Sequence, residues 1–239
     1  MFSSIVTDHW FRAVELSDVP ASVGTRRVVV DSTLSQNRRL MVLDPVGTGG
    51  IVLVAPDLLR RLGFEVGAEI DAPALASAVS AADLELNGAD HLYYFSTAEQ
   101  TALRTEGLPT GVRELSEDDA ELFAAFQSEA PSGELDEAFV ELDHWLVFGA
   151  FVEDRLVCAA SMYPWGGTTL ADLGVITLPP FRGRGLARQT VRALSARALE
   201  LGHEPQYRCQ LDNHASVALA DSAGLTRFAT WDVVASDED

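Results

Sequence analysis

From Leu170 to Leu194 the chain reads LADLGVITLPPFRGRGLARQTVRAL. An apolar strand runs into two prolines, then a turn with glycines at 183 and 185, then an amphipathic helix that continues to Leu201 and stops at Gly202. A strand delivered through a glycine turn into a long helix commits this part of the chain to a layered α/β architecture. Glycines at such a turn let backbone N–H groups converge on an anion that side chains would keep away. The helix dipole favours negative charge at that end, and Arg182, Arg184 and Arg188 surround it. A pyrophosphate is the natural ligand. The segment is neither a Walker loop, which needs GxxxxGK[ST], nor a Rossmann GxGxxG.

Composition narrows the function classes. The 239 residues are 47% hydrophobic and 22% charged, enough apolar material for a core. Two cysteines, Cys158 and Cys209, exclude a disulfide scaffold and read as buried inert thiols. No apolar run reaches the roughly 20 residues of a membrane span. The N-terminus lacks the basic start and long apolar stretch of a secretion signal, so a cytoplasmic location is expected. All 17 basic residues are arginine, so no lysine can form a Schiff base. The net charge of −19 argues against a nucleic-acid partner. It is uneven: −6 over residues 1–110, −11 over 111–170 and −2 over 171–239. Within 173–211, Arg182, Arg184, Arg188, Arg192, Arg197 and Arg208 face only Glu200 and Glu204. Two readings of that island stand equal, a local anion site and a solvated helix face.

Along the chain, Val28–Asp31, Leu40–Leu43, Ile51–Val54 and His91–Phe95 read as strands, and Pro56–Leu62 and Pro73–Leu84 as helices. TEGLPTG at 105–111 is the linker candidate, dividing an α/β domain of unknown role (1–110) from a second domain (111–239). The second begins with a strand at Val112–Leu115 and a helix at Ser116–Gln127, with Leu122, Phe123 and Phe126 at helical spacing. A further helix is predicted at Leu135–His144. Glu153-Asp154 between two apolar runs predicts a hairpin of Trp145–Val152 and Arg155–Tyr163. Strands at Thr168–Leu178, Gln206–Leu211 and Phe228–Val234 alternate with helices at Gly183–Leu201 and Asn213–Ala223. The fold class is α/β with a mixed sheet.

Pro179-x-Phe181-Arg182-Gly183-x-Gly185-Leu186-Ala187 resembles the R/Q-x-x-G-x-G/A signature of the GNAT superfamily of acyl-CoA-dependent N-acyltransferases. Asn213-His-Ala-Ser216-Val-Ala-Leu219 through Ala223-Gly224-Leu225 resembles the segment that follows it in that family. The resemblance covers about half the chain, from Val112 to Val234. It implies a GNAT-like fold in the C-terminal half and acetyl-CoA as cosubstrate, bound between splayed parallel strands, with no metal. It further implies that backbone groups of Ile176, Thr177 and Leu178 meet the pantetheine arm. Backbone N–H groups from Arg182 to Ala187, hence of Gly183, Arg184, Gly185 and Leu186, would hold the pyrophosphate. Asn213 and Ser216 would touch the cofactor from the far side. The acceptor is then a small-molecule or peptide amine that attacks the thioester directly, and the acidic middle of the chain favours a cationic one.

One departure is chemical. Where many members carry a tyrosine that protonates the departing thiolate, this chain has Ala220. Tyr163 and Tyr207 are candidate substitutes. Asp172, on the strand entering the turn, is the candidate base; Glu141, Asp143 and His144 lie in a region that flanks the acceptor site in the family. The alternative function is a non-catalytic acyl-CoA sensor.

Overall fold

The structure, a computed structural model, describes residues 1–14, 19–20 and 22–234. Helix α1 (Ser4–Trp10) is followed by strands β1 (Thr25–Val30), β2 (Leu40–Pro45) and β3 (Gly50–Val54), helix α2 (Pro56–Leu62), strand β4 (Glu69–Asp71), helix α3 (Ala72–Ala81) and strand β5 (Asp90–Phe95). Helix α4 (Thr97–Leu103), strand β6 (Val112–Glu114), helices α5 (Ala120–Glu129) and α6 (Ser132–Ala138), and strands β7 (Leu146–Val152), β8 (Arg155–Pro164) and β9 (Leu170–Thr177) come next. Helix α7 (Leu186–Glu200), strand β10 (Glu204–Gln210), helix α8 (His214–Ala223) and strand β11 (Leu225–Val233) complete the order. No helix of the described residues is long and apolar enough to cross a membrane.

The chain forms two compact units, and their division does not follow the 105–111 linker. One holds Thr7–Leu92 with Cys209–Asn213 and the chain from Arg227 onward; the other holds Met1–Val6, Tyr93–Arg208 and His214–Thr226. In the first, the strand order is β4-β1-β3-β2-β11, with β1 and β3 parallel and the other pairs antiparallel. Its core packs Val28, Leu40, Val52 and Val54 against Leu58 and Leu62 of α2 and Leu75 and Val79 of α3. Asp57 sits in the first turn of α2, and Gly63 closes that helix at φ 72°.

In the second unit the order is β5-β10-β9-β8-β7-β6. Strands β7 and β8 form the expected hairpin, turned by Glu153 and Asp154 at φ 50° and 64°. Two positive φ values in a two-residue loop match the right-handed twist of the flanking strands. Phe123 and Phe126 of α5 pack with Val140, Val147, Leu156 and Ile176 on one face of the sheet. Leu122, at the same helical spacing, is left exposed. The next residue of β9 after Ile176, Thr177, points to the opposite face, where its hydroxyl donates to Cys158 Sγ at 3.1 Å. Helix α7 covers that side, packing on β7 and β8.

The helix predicted over 135–144 is corrected: α6 spans Ser132–Ala138 and the chain leaves it at Phe139 in the left-handed region. The strand and turn at the motif stand as expected, with Gly185 capping α7 at φ 77°.

Candidate functional site

Strands β9 and β10 pair in parallel only from Leu170↔Glu204 to Leu173↔Tyr207. Beyond that point β9 runs on to Thr177 in register with β8 alone, through Cys158↔Thr177. The edge of β9 from Gly174 to Thr177 therefore has no strand partner on its β10 side among the described residues. Backbone polarity along it follows from two bonds. The Leu178 N–H donates to the Val157 carbonyl, and the Glu204 N–H donates to the Thr169 carbonyl. Even-numbered residues thus turn their backbone groups to β8, and Val175 and Thr177 turn theirs to the open side. Of the three residues expected to meet a pantetheine arm, Thr177 presents its N–H and carbonyl there. Ile176 and Leu178 turn their backbone groups to β8 and bury their side chains in the core.

The turn beyond β9 is open. Gly183 and Gly185 adopt φ 74° and 77°, and a methyl group at either would meet nothing within 4 Å. Only their conformation demands glycine. Helix α7 begins at Leu186 without a side-chain cap. Its first intrahelical bond is from the Gln189 N–H to the Gly185 carbonyl at 3.1 Å, so the N–H groups of Leu186, Ala187 and Arg188 point out of the helix start.

The arginine island resolves mostly into ion pairs. Arg192 is held, partly buried, between Glu99 and Glu106, Arg197 pairs with Glu200, and Arg208 pairs with Asp172. Arg182 pairs with Glu134 of α6 while its Nε donates to the Thr177 carbonyl at 3.0 Å. Arg184 lies over the Phe181 ring at 5.1 Å and donates to the Pro180 carbonyl. Asn213 belongs to the first unit and directly precedes α8, its N–H donating to the Gln210 carbonyl; Ser216 lies in the first turn of that helix.

Where the two strands part, a polar network fills the sheet face that carries α5 and α6. Asp172 is buried. Arg208 grips it through Nε at 3.1 Å and Nη2 at 2.6 Å, Gln206 Nε2 donates at 3.0 Å, and the cross-strand Tyr163 hydroxyl donates at 3.3 Å. Tyr94 of β5 donates in turn to Gln206. The sequence-based candidate base is thus an ion-paired hub with its lone pairs engaged. Burial and the neighbouring Asp172 raise the Tyr163 phenol above its ordinary value, so it stays protonated.

One turn of chain away, His144 is half-buried with Nδ1 2.8 Å from the Ser161 hydroxyl. The Glu141 N–H also donates to that hydroxyl at 3.3 Å, and Ser161 is fully buried. Burial holds the imidazole below its ordinary value, against the opposing pull of Asp143 and Glu141. His144 is therefore neutral near pH 7, the state a base requires. From the sequence, Asp172 stands ahead of His144 as the base, and His144 reads as a surface histidine beside Trp145. Ser161 and Gln206 gave no signal and Arg208 stood out only as part of the arginine island, because only strand register places them around Asp172 and His144. The two cysteines are buried as expected, each thiol pushed up to about 11 mainly by burial. No group of three or more His, Cys, Asp or Glu among the described residues is arranged to hold a metal ion.

The sequence profile of the acetyltransferase (GNAT) family matches residues 113–225. No curated protein matches the chain. Among solved structures, an acetyltransferase from the GNAT family of Colwellia psychrerythraea is similar at 18% identity and a TM-score of 0.48, over 69% of this chain and 63% of that one. A GCN5-related N-acetyltransferase-like protein from Streptococcus suis matches at 17% identity and 0.43, over 67% and 68%. The ribosomal-protein-S18-alanine N-acetyltransferase of Escherichia coli matches at 14% identity and 0.38, over 54% and 95%. The chain thus spans about two thirds of the length of the first two. Residues 113–225, a little under half of the chain, thus match the acetyltransferase (GNAT) family, a family of acyltransferases.

Proposed function

We propose that this protein transfers an acetyl group from acetyl-CoA to a primary amine by direct attack of the amine on the thioester. The observation that carries the reading is the parting of β9 from β10 after Leu173↔Tyr207, beside an uncapped helix start. That gap offers an extended pantetheine arm the backbone groups of Val175 and the N–H of Thr177, whose carbonyl already accepts from Arg182. The turn from Arg182 to Ala187 offers a diphosphate a set of convergent N–H groups. Two linked features supply a diphosphate site and a strand-like site in the order a CoA thioester needs them.

The chemistry follows from the groups around the gap. An acceptor arriving as an ammonium gives one proton to His144 Nε2, which is free when Nδ1–H donates to Ser161. The amine nitrogen then attacks the thioester carbon. The oxyanion is stabilised by an N–H on the open edge of β9. As the carbon–sulfur bond breaks, Tyr163 protonates the departing thiolate and recovers its proton from the amide nitrogen. The net products are the acetamide, free CoA thiol and one proton, released by His144 to solvent. In this scheme Asp172, ion-paired to Arg208, positions Tyr163.

The test is cofactor binding and turnover together. Gly185→Val keeps the space but not the conformation, since a β-branched residue at φ 77° is strained by about 1–2 kcal/mol. Calorimetry is expected to show CoA binding to the native protein and at least tenfold weaker binding to the variant, with unchanged circular dichroism. Equal affinity would remove the turn from the site. Acetyl-CoA binding with no thiol release for any amine would favour the sensor.

A further inference from the structure

Gly174 has no room for a side chain: a methyl group there would meet the Ala138 carbonyl oxygen at 1.8 Å. The last residue of α6 is therefore seated on the backbone of β9. The chain then leaves the helix through Phe139 at φ 47° and ψ 53°, a conformation uncommon for a bulky residue. Phe139 is 52% exposed, yet its ring has aromatic neighbours. It stands edge-on to His144 at 4.9 Å and to Tyr163 at 5.6 Å between centroids. His144 and Tyr163 are themselves 5.0 Å apart. Three rings thus gather beside the Tyr163–Asp172 pair, next to the residues where β9 and β10 part.

The carboxylates outnumber the cations around the rings. Asp143 and Glu141 act on His144 directly. The nearby cation, Arg208, is neutralised by Asp172. A ring face attracts a cation, and nearby carboxylates add to the attraction. An uncharged amine gains neither.

We infer that Phe139, His144 and Tyr163 form an aromatic subsite that receives the acceptor as an ammonium ion, with Phe139 selecting cationic aliphatic amines. This rests on the acetyl-transfer reading for its purpose but not for its measurement. Phe139 provides a wall, His144 takes the proton, and the acids keep the ammonium charged until it is in place.

Tetramethylammonium separates the two claims, because it can bind but cannot be acylated. Its proton resonance is expected to broaden saturably with the native protein. Phe139→Gly suits the observed backbone and is expected to keep the melting temperature while weakening that binding about tenfold. Phe139→Tyr is expected to restore it. In turnover, Phe139→Gly should raise KM for a primary alkylamine about tenfold with little change in kcat. Absence of saturable broadening in the native protein, equal binding by Phe139→Gly, or a lower KM for an uncharged arylamine than for an alkylammonium would each overturn the subsite. Amine turnover with a KM indifferent to Phe139 would sink the subsite and leave acetyl transfer standing. Phe139-dependent binding with no thiol release from any amine would do the reverse.

Discussion

His144 is held by its neighbours in the state a base needs. Burial disfavours the imidazolium, while Asp143 and Glu141 favour it, and burial wins. The consequence for rate has a definite sign. In the proposed scheme the neutral form is active, so kcat/KM should rise with pH through a midpoint below the ordinary histidine value of about 6.5 and level off near neutrality. Removing a nearby negative charge removes support for the imidazolium. Asp143→Asn should therefore move the acid limb to lower pH, and His144→Gln should abolish the limb along with a hundredfold or more of kcat. A limb that stays in place in Asp143→Asn, or survives in His144→Gln, would assign the proton transfer to another group. Sequence order hid this ranking. His144 and Ser161 are 17 positions apart, and only the hairpin register brings the hydroxyl to the ring.

At the scale of elements, α6 walls the proposed acceptor site, and Gly174 is its seat. Gly174→Ala forces a methyl group into a backbone carbonyl, so either the strand or the helix must shift. We expect a loss of about 2 kcal/mol or more in urea unfolding, faster amide exchange in α6, and weakened tetramethylammonium binding. An alanine variant of native stability would mean that α6 does not depend on this contact. The same contact explains a misreading. Leu135, Ala138, Phe139 and Leu142 repeat at helical spacing, so the pattern extends the helix to 144. Tertiary contact ends it at Ala138 instead. Where local chemistry decides, sequence reading succeeds: the Glu153–Asp154 turn, the Gly63 stop and the RGRGLA turn all lie where their residues demand. Helices α1 and α4 gave no signal: seven residues apiece give too few turns for a periodic pattern, and neither has the proline start and glycine stop that mark the equally short α2.

For the molecule as a whole, stability against pH is set by buried titratable groups as well as by the net charge of −19. Glu204 of β10 is buried, accepting from Ser3 at 2.8 Å and from Gln100 of α4 at 2.6 Å. Burial outweighs those bonds and raises its carboxyl to about 7. The unfolded value is about 4.5, so between pH 4.5 and 7 the folded chain holds a proton that the unfolded chain has released. Stability from this group is present below pH 4.5 and is lost as pH rises through 7. His9, in the other unit, works in the opposite direction. Burial first, then Arg12 and Arg38, lower it to about 4, so the unfolded chain gains a proton as pH falls from 6.5 and folding weakens toward pH 4. An amide at 204 can still accept from Gln100 and donate to Ser3 without titrating. Glu204→Gln should therefore remove a decline of up to about 3 kcal/mol that the native protein shows between pH 5 and 8, and leave the weakening below pH 6 intact. Urea midpoints taken across that range decide the matter. An unchanged slope above pH 5 in the variant would mean that Glu204 remains ionised in its buried place and that the N-terminal segment is held by a charge.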